Sequence, residues 1–169
     1  GICHHDLSPE NIVITGNLDV AVVMDFGMAQ RLRRGPDGDF VRVQDERVFG
    51  KCRYMAPEVF KKLAYDGRQA DIWSVAVTLL LCLTGRYAWG APTSFIHHGD
   101  TPYVGSNMFN YMHFRRYGPM WIIEHLCWRQ LSAEAKDLIC MMLVIDCNRR
   151  PCSAEALARH AFFVVRRER

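Results

Sequence analysis

Three oxygen-bearing side chains near the start of the chain have the types and spacing that transfer of a phosphoryl group requires. Asp6 and Asn11 are five residues apart, and Asp25 follows fourteen residues after Asn11. Such a reaction needs one carboxylate that orients the attacking hydroxyl and accepts its proton. It also needs oxygen ligands that hold magnesium ions against the phosphates. An aspartate and an asparagine on one short loop, with a second aspartate on the next loop, can supply both.

Each of these residues also has a simpler structural interpretation. Asp6 could cap a helix or a turn, and Asn11 could be an ordinary turn residue. Asp25, Phe26 and Gly27 taken by themselves could be a strand end, a core aromatic residue and a turn. The three residues alone therefore do not decide between a catalytic and a structural role.

A longer pattern of motifs resembles the catalytic region of eukaryotic-type protein kinases, in the form found in serine/threonine kinases. It contains five short motifs in order, which are HHDLSPEN (4–11), DFG (25–27), APE (56–58), DIWS (71–74) and RP (150–151). The first two resemble the catalytic loop and the magnesium-binding loop of that family. The third resembles the end of its activation segment. The last two resemble the start of its central helix and the arginine that usually pairs with the glutamate of the third motif. The motifs span nearly the whole chain, so the resemblance is specific.

This resemblance implies a role for each residue of the candidate site. Asp6 would be the catalytic base, and Asn11 and Asp25 would bind Mg²⁺. Val13, on the strand after Asn11, would lie under the adenine ring of ATP. The resemblance also implies structural roles for His4, Phe26, Gly27, Glu58, Asp71 and Arg150.

The implied structural roles are of three kinds. His4 and Phe26 would belong to a regulatory stack of side chains. Asp71 would accept hydrogen bonds from the backbone of the catalytic loop, although an aspartate at the start of an apolar helix is also a plausible N-cap. Glu58 and Arg150 would form a buried ion pair, because buried charges must be matched.

The implied fold is the C-terminal lobe of a protein kinase domain, mainly α-helical with a small β-hairpin. Residues 1–169 would form this lobe, and residues 25–58 its activation segment. β-Prone runs at 11–14 and 20–24 predict the hairpin. Apolar runs preceded by capping residues predict helices over 71–83, 106–117, 132–144 and 153–163.

The N-terminal lobe of the family, which clamps ATP, would lie outside this sequence, because the catalytic loop already begins at residue 4. We therefore expect the chain to be a fragment of a longer kinase and to be inactive by itself. Without that lobe, the surface near Val13 would be apolar and exposed.

The candidate activation segment departs from the family in the residues that could carry or bind a phosphate. The second residue of the catalytic loop motif is His5, where many kinases have an arginine that binds a phosphate on the activation segment. No Ser, Thr or Tyr occurs from Met28 to Arg53, whereas Asp37, Asp39, Asp45 and Glu46 carry fixed negative charge. We therefore predict that phosphorylation within this stretch does not activate the protein.

A second departure concerns the positions of a lysine and a hydroxyl. Serine/threonine kinases usually have lysine where this chain has Ser8, and threonine where it has Lys51. The hypothesis is that the two side chains are exchanged, so that Lys51 supplies the positive charge that faces the transferring phosphate. The alternative is that Lys51 is a solvated loop lysine and that the enzyme is impaired.

Composition and charge argue for a protein of the cytoplasm or nucleus. The formal net charge of +3 is too small to indicate nucleic-acid binding, and the apolar run at 72–83 is too short to cross a membrane. Seven cysteines, without a CxxC pair, are typical of reduced thiols rather than of a disulfide framework. The expected partners are ATP and a protein substrate.

Two further functions remain possible. The chain could be a pseudokinase, which uses the kinase fold for binding or scaffolding, although that class usually lacks one of the three residues Asp6, Asn11 and Asp25. It could also be a genuine short protein that competes for kinase partners. The leading hypothesis is transfer of the γ-phosphate of ATP to serine or threonine hydroxyls of proteins.

Overall fold

The structure is a computed structural model, and it describes residues 1–17, 20–44, 50–88, 116, 118–122, 124 and 131–164. The predicted helix 106–117 lies almost entirely outside the described residues. So do Asp45 and Glu46 of the candidate activation segment. Within the described part of the chain, no helix combines the length and hydrophobicity that crossing a lipid bilayer would require.

Four short strands form two antiparallel pairs in the part of the chain that the structure describes. Strands β2 (Ile12–Ile14) and β3 (Ala21–Val23) form the predicted hairpin, in which Val13 lies opposite Val22. Strands β1 (Ile2–Cys3) and β4 (Gln30–Arg31) form a second pair that we did not predict. Two-residue strands have no periodicity of their own, so only long-range pairing reveals them.

Six α-helices follow the strands in the described residues. They are α1 (Pro57–Phe60), α2 (Gly67–Thr84), α3 (Pro119–Ile122), α4 (Ala133–Met142), α5 (Ala154–Ala158) and α6 (Ala161–Val164). The chain is therefore mainly α-helical with small sheets, as predicted. The predicted helix over 153–163 is in fact two helices, because the ring of His160 accepts a hydrogen bond from the Phe162 N–H and so starts a new helix.

Helix α2 begins earlier than predicted. Asp66 is its N-cap and accepts a hydrogen bond from the Arg68 N–H, so the interpretation of Asp71 as the helix cap was wrong. Asp71 lies one turn inside the helix, where its carboxylate is available to the catalytic loop. The helix ends at Gly85, whose φ of 66° is a left-handed conformation that glycine adopts without strain.

The hydrophobic core surrounds α2. Trp73 and Leu80 of α2 are almost completely buried, and they share one cluster with Leu138 and Ile139 of α4. Helix α2 is buried on nearly all sides, which is why its sequence after the first turn is mostly apolar and not amphipathic. The buried helix α2 thus supports the loops that carry the candidate site.

Candidate active site

The carboxylate of Asp6 is the centre of the candidate site. Asp6 is buried, and the Asn11 side-chain amide donates hydrogen bonds to its backbone carbonyl at 2.7 Å and to its Oδ2 at 2.9 Å. The 3₁₀ turn Pro9–Asn11 makes this contact possible, because it folds the Asn11 N–H back onto the Ser8 carbonyl at 3.0 Å. The five-residue spacing of Asp6 and Asn11 thus closes a small loop around one carboxylate.

Lys51 reaches the same carboxylate from the activation segment. Its backbone N–H donates to Asp6 Oδ1 at 3.1 Å, and its Nζ donates to Asp6 Oδ2 at 3.0 Å and to Ser8 Oγ at 2.9 Å. The lysine side chain is 39% exposed, whereas that of Asp6 is 10% exposed. The structure therefore brings Ser8, Lys51 and Asp6 into one cluster, with the lysine on its solvent side.

Gly50 allows the activation segment to approach this closely. Its φ is +86°, and a Cβ atom built on it would lie 2.4 Å from the His5 carbonyl oxygen. A side chain at this position would therefore push the backbone of residues 50–51 away from Asp6. Sequence analysis did not single out Gly50, although a glycine directly before a candidate site lysine is a signal that could have been used.

Asp25 lies at the end of β3, beside the catalytic loop. The adjacent Met24 N–H donates to the Asn11 carbonyl at 2.9 Å, and the Met24 carbonyl contacts His4 Nε2 at 2.9 Å. Asp25 has a left-handed φ of 58°, and its side chain accepts a hydrogen bond from the Gly27 N–H at 3.3 Å. The ring of Phe26 packs edge-on against His4, with 4.9 Å between centroids.

The oxygen atoms of Asn11 and Asp25 have the chemistry that Mg²⁺ prefers, which is hard carboxylate and amide oxygen. The Asn11 amide group uses its Nδ2 for Asp6, which leaves its Oδ1 as the atom that could bind a metal ion. The Asp25 side chain is exposed and bonded only to its own turn among the described residues. The two residues therefore fit a magnesium site completed by phosphate oxygens.

Asp71 holds the catalytic loop onto α2. Its carboxylate accepts hydrogen bonds from the backbone N–H groups of His4 at 2.6 Å and His5 at 2.9 Å. Burial raises the pKa of Asp71 above its ordinary value, and the two N–H groups partly oppose that shift. The residue thus lies where the sequence analysis placed it, against the loop backbone.

A buried ion pair closes the end of the activation segment. Arg150 Nη2 donates to Glu58 Oε2 at 2.8 Å, and Arg150 Nη1 donates to Glu58 Oε1. Both side chains are almost fully buried, and the guanidinium lies 4.8 Å from the centre of the Trp73 ring. The predicted contact is therefore present, and it joins the start of α1 to the loop after α4.

Val13 lies on an apolar surface of the hairpin. Val13 is 44% exposed, and the exposed apolar side chains around it include Ile14, Val22, Val23 and Met24. Phe26 and Met28, which follow β3, are also exposed. So many exposed apolar side chains close together in the chain agree with the expected exposure near Val13.

Two contacts of His5 were not anticipated from the sequence. The ring contacts Cys3 Sγ through Nε2 at 2.8 Å and the Tyr65 hydroxyl through Nδ1 at 3.3 Å. His5 itself has a left-handed φ of 68°. No local signal links Tyr65 to His5, because sixty residues separate them and only the tertiary fold brings them together.

Comparisons of the sequence with known proteins show the family of the chain. The model of the protein kinase domain family matches residues 1–163, and the chain therefore belongs to the protein kinase domain family. Serine/threonine-protein kinase CHK1 of Saccharomyces cerevisiae is 33% identical over 170 residues, which cover 99% of this chain and 28% of that protein. CBL-interacting serine/threonine-protein kinase 5 of Arabidopsis thaliana is 32% identical over 153 residues, covering 89% of this chain and 28% of that protein.

A third relative extends the same comparison. Ribosomal protein S6 kinase alpha-3 of Homo sapiens is 31% identical over 176 residues, which cover 97% of this chain and 20% of that protein. The chain thus spans less than a third of the length of each of these three relatives.

Proposed function

We propose that residues 1–169 form the C-terminal lobe of a protein kinase domain, with residues 25–58 as its activation segment. The proposed reaction is transfer of the γ-phosphate of ATP to serine or threonine hydroxyls of proteins. The observation that carries the proposal is the buried carboxylate of Asp6, which Asn11 and Lys51 hold from two different segments. The serine/threonine-kinase names of two of the relatives support the substrate class.

Asp6 acts as the catalytic base in this proposal. Its Oδ2 receives hydrogen bonds from Asn11 and Lys51 and its Oδ1 receives one from the Lys51 backbone, so its orientation is fixed before substrate binds. The substrate hydroxyl oxygen attacks the γ-phosphorus while Asp6 takes up the hydroxyl proton, and ADP leaves with the electrons of the broken P–O bond. Positioning of this kind accounts for much of the rate in phosphoryl transfer.

Asn11 and Asp25 would hold Mg²⁺, and Val13 would lie under the adenine ring. When bound, the metal ion neutralises charge that develops on the phosphate oxygens. The residues present fit that group, because Asn11 offers an amide oxygen and Asp25 an exposed carboxylate, and the Met24 N–H next to Asp25 donates to the Asn11 carbonyl. The ring of Phe26, the residue after Asp25, contacts the ring of His4.

Lys51 takes the place of the lysine that is absent at position 8. Its Nζ contacts both Ser8 and Asp6, so the exchanged pair occupies one location and the cation lies beside the proposed base. A cation placed at this point can attract the phosphate oxygens while it keeps Asp6 oriented. Electrostatic groups of this kind are worth about 3 kcal/mol, or roughly a hundredfold in rate.

We also propose that the ATP-clamping lobe lies in a part of the protein outside residues 1–169 and covers the apolar surface around Val13. The exposed valines of the hairpin support this, as does the greater length of the relatives. Residues 1–169 alone would then transfer phosphate at a negligible rate. Protein substrate and ATP are the proposed partners, and the cytoplasm or nucleus is the proposed location.

The function is tested with the purified full-length protein, ATP, Mg²⁺ and a general protein substrate. We expect phosphoserine or phosphothreonine in the product, and Asp6→Asn should lower the rate by at least a hundredfold because the amide cannot accept the proton. A folded full-length protein without activity would favour the pseudokinase alternative. Equal rates for Asp6→Asn and the wild type would show that Asp6 does not take part in the reaction.

The exchange of lysine and hydroxyl is tested by two variants of the same protein. Lys51→Ala should lower kcat by roughly a hundredfold, and adding Ser8→Lys to it should restore a large part of the loss. Lys61→Ala, which changes an exposed lysine at the end of α1, is the matched control and should have no effect. If Lys51→Ala leaves turnover unchanged, the lysine is only a solvated loop residue.

A further inference from the structure

The side chain of His5 is buried at the start of the catalytic loop. Its ring is buried between Cys3 and Tyr65, and the rings of His5 and Tyr65 meet edge-on at 5.9 Å between centroids. The backbone of His5 is also in contact with neighbouring segments. Its N–H donates to Asp71, and its carbonyl oxygen lies where a side chain on Gly50 would be. Asp6, the proposed base, follows it directly in the chain.

Tyr65 contacts the activation segment through its backbone. The Val43 N–H donates to the Tyr65 carbonyl at 2.7 Å, and the Tyr65 N–H donates to the Val43 carbonyl at 3.0 Å. Beside this bridge, Arg42 donates to the Ala64 carbonyl at 3.3 Å and to Asn148 Oδ1 at 2.6 Å. The same tyrosine therefore contacts the activation segment with its main chain and the catalytic loop with its hydroxyl.

One partner of the His5 ring, the Cys3 sulfur, is uncharged. Burial raises the pKa of Cys3 to about 12, with a smaller contribution from Asp71, so the sulfur is a thiol at neutral pH. A neutral imidazole has one donor and one acceptor nitrogen, and a thiol and a phenol can each serve as either. Both ring nitrogens of His5 are thus engaged inside the fold and present no donor to a phosphate group.

We propose that Tyr65 is a positioning residue that ties the activation segment to the catalytic loop through His5, so that the active arrangement forms without a phosphate. The tie uses only groups that are present in the unmodified chain. It agrees with the composition of the segment, because residues 28–53 contain no hydroxyl side chain that could be phosphorylated. The effect on turnover rests on the proposed function, whereas the structural tie does not.

The tie is tested by Tyr65→Phe in the full-length protein, since phenylalanine keeps the ring and removes only the hydroxyl. Hydrogen exchange should rise roughly tenfold at the backbone amides of both His5 and Val43. The reason is that His5 Nδ1 loses the Tyr65 hydroxyl, so that the catalytic loop and the activation segment separate more often. Tyr87→Phe makes the same chemical change on a more exposed ring and is the control. Unchanged exchange at His5 in Tyr65→Phe overturns the proposal.

Two further measurements separate this proposal from the proposed function. Phosphatase treatment of the wild-type protein should leave exchange at His5 and Val43 unchanged, and faster exchange after treatment would show that a phosphate contributes to the tie. In an active protein, Tyr65→Phe should lower kcat several-fold and leave KM for ATP unchanged, since it displaces the proposed base and not the nucleotide. An inactive wild-type protein would contradict the proposed function but not the proposed tie, because the exchange experiment does not need turnover.

Discussion

Replacement of Arg150 by methionine should destabilise the domain severely, because this side chain is buried and forms an ion pair and several hydrogen bonds within the fold. Its guanidinium donates two hydrogen bonds to Glu58. It also donates to the backbone carbonyls of Val144 at 2.6 Å, Gln69 at 3.1 Å and Ile145 at 3.3 Å. Methionine keeps much of the volume against Trp73 and removes all five hydrogen bonds.

The magnitude follows from what is left behind. Removing one partner of a buried ion pair costs about 3–5 kcal/mol, because the remaining charge has lost its partner and cannot reach water. The carbonyl of buried Gln69 loses a hydrogen bond worth about 1 kcal/mol. Val144 and Ile145 are only half-buried, so water can replace the arginine there. We therefore expect the free energy of unfolding to fall by about 4–6 kcal/mol at pH 7.

The assay is urea unfolding of the full-length protein followed by tryptophan fluorescence, which reports on buried Trp73 beside the guanidinium. Arg149→Met is the matched control, because Arg149 is the preceding residue and is exposed, and it should change stability by less than about 0.5 kcal/mol. A loss below about 1 kcal/mol for Arg150→Met would refute the reasoning.

Two further predictions concern the backbone at Gly50 and the thiol of Cys3. Gly50→Ala should lower kcat at least tenfold, because its methyl group would meet the His5 carbonyl oxygen. Gly38→Ala, at a nearly identical φ of +85° but with open space around it, should cost only stability. Steady-state kinetics and thermal unfolding of both variants check this, and equal kinetic losses would contradict it. Cys3 should resist alkylation at pH 8, because its raised pKa keeps it a thiol, while exposed Cys82 and Cys152 react, as peptide mass spectrometry would show. Alkylation of native Cys3 at their rate would show that the thiol is accessible or ionised.

Local features were the ones that sequence analysis predicted best. The hairpin follows from two β-prone runs and the turn residues between them, and the start of α4 follows from Ser132, whose Oγ accepts a hydrogen bond from the Ala135 N–H. The loop of Asp6 and Asn11 is local too, since five residues and a proline-initiated turn suffice to close it. Hydrogen bonds between residues this close in the chain depend mainly on residue type and spacing.

Only some of the long-range contacts could be predicted from the sequence. The pairing of Glu58 with Arg150 and of Asp71 with the catalytic loop could be expected from the family resemblance, although 92 and 66 or more residues separate the partners. The helix start at Asp66 was missed, because an apolar run defines the buried part of a helix better than its polar first turn.

The sequence by itself therefore determined which chemical groups are available and the short loops that present them. The tertiary structure decided that Lys51 would lie 3.0 Å from Asp6 across 45 residues of chain, and that Tyr65 would meet the ring of His5. The physical reason is that no local preference specifies such contacts. They form when burial of α2 fixes the positions of the segments packed against it, and the hydrogen bonds then follow from that packing.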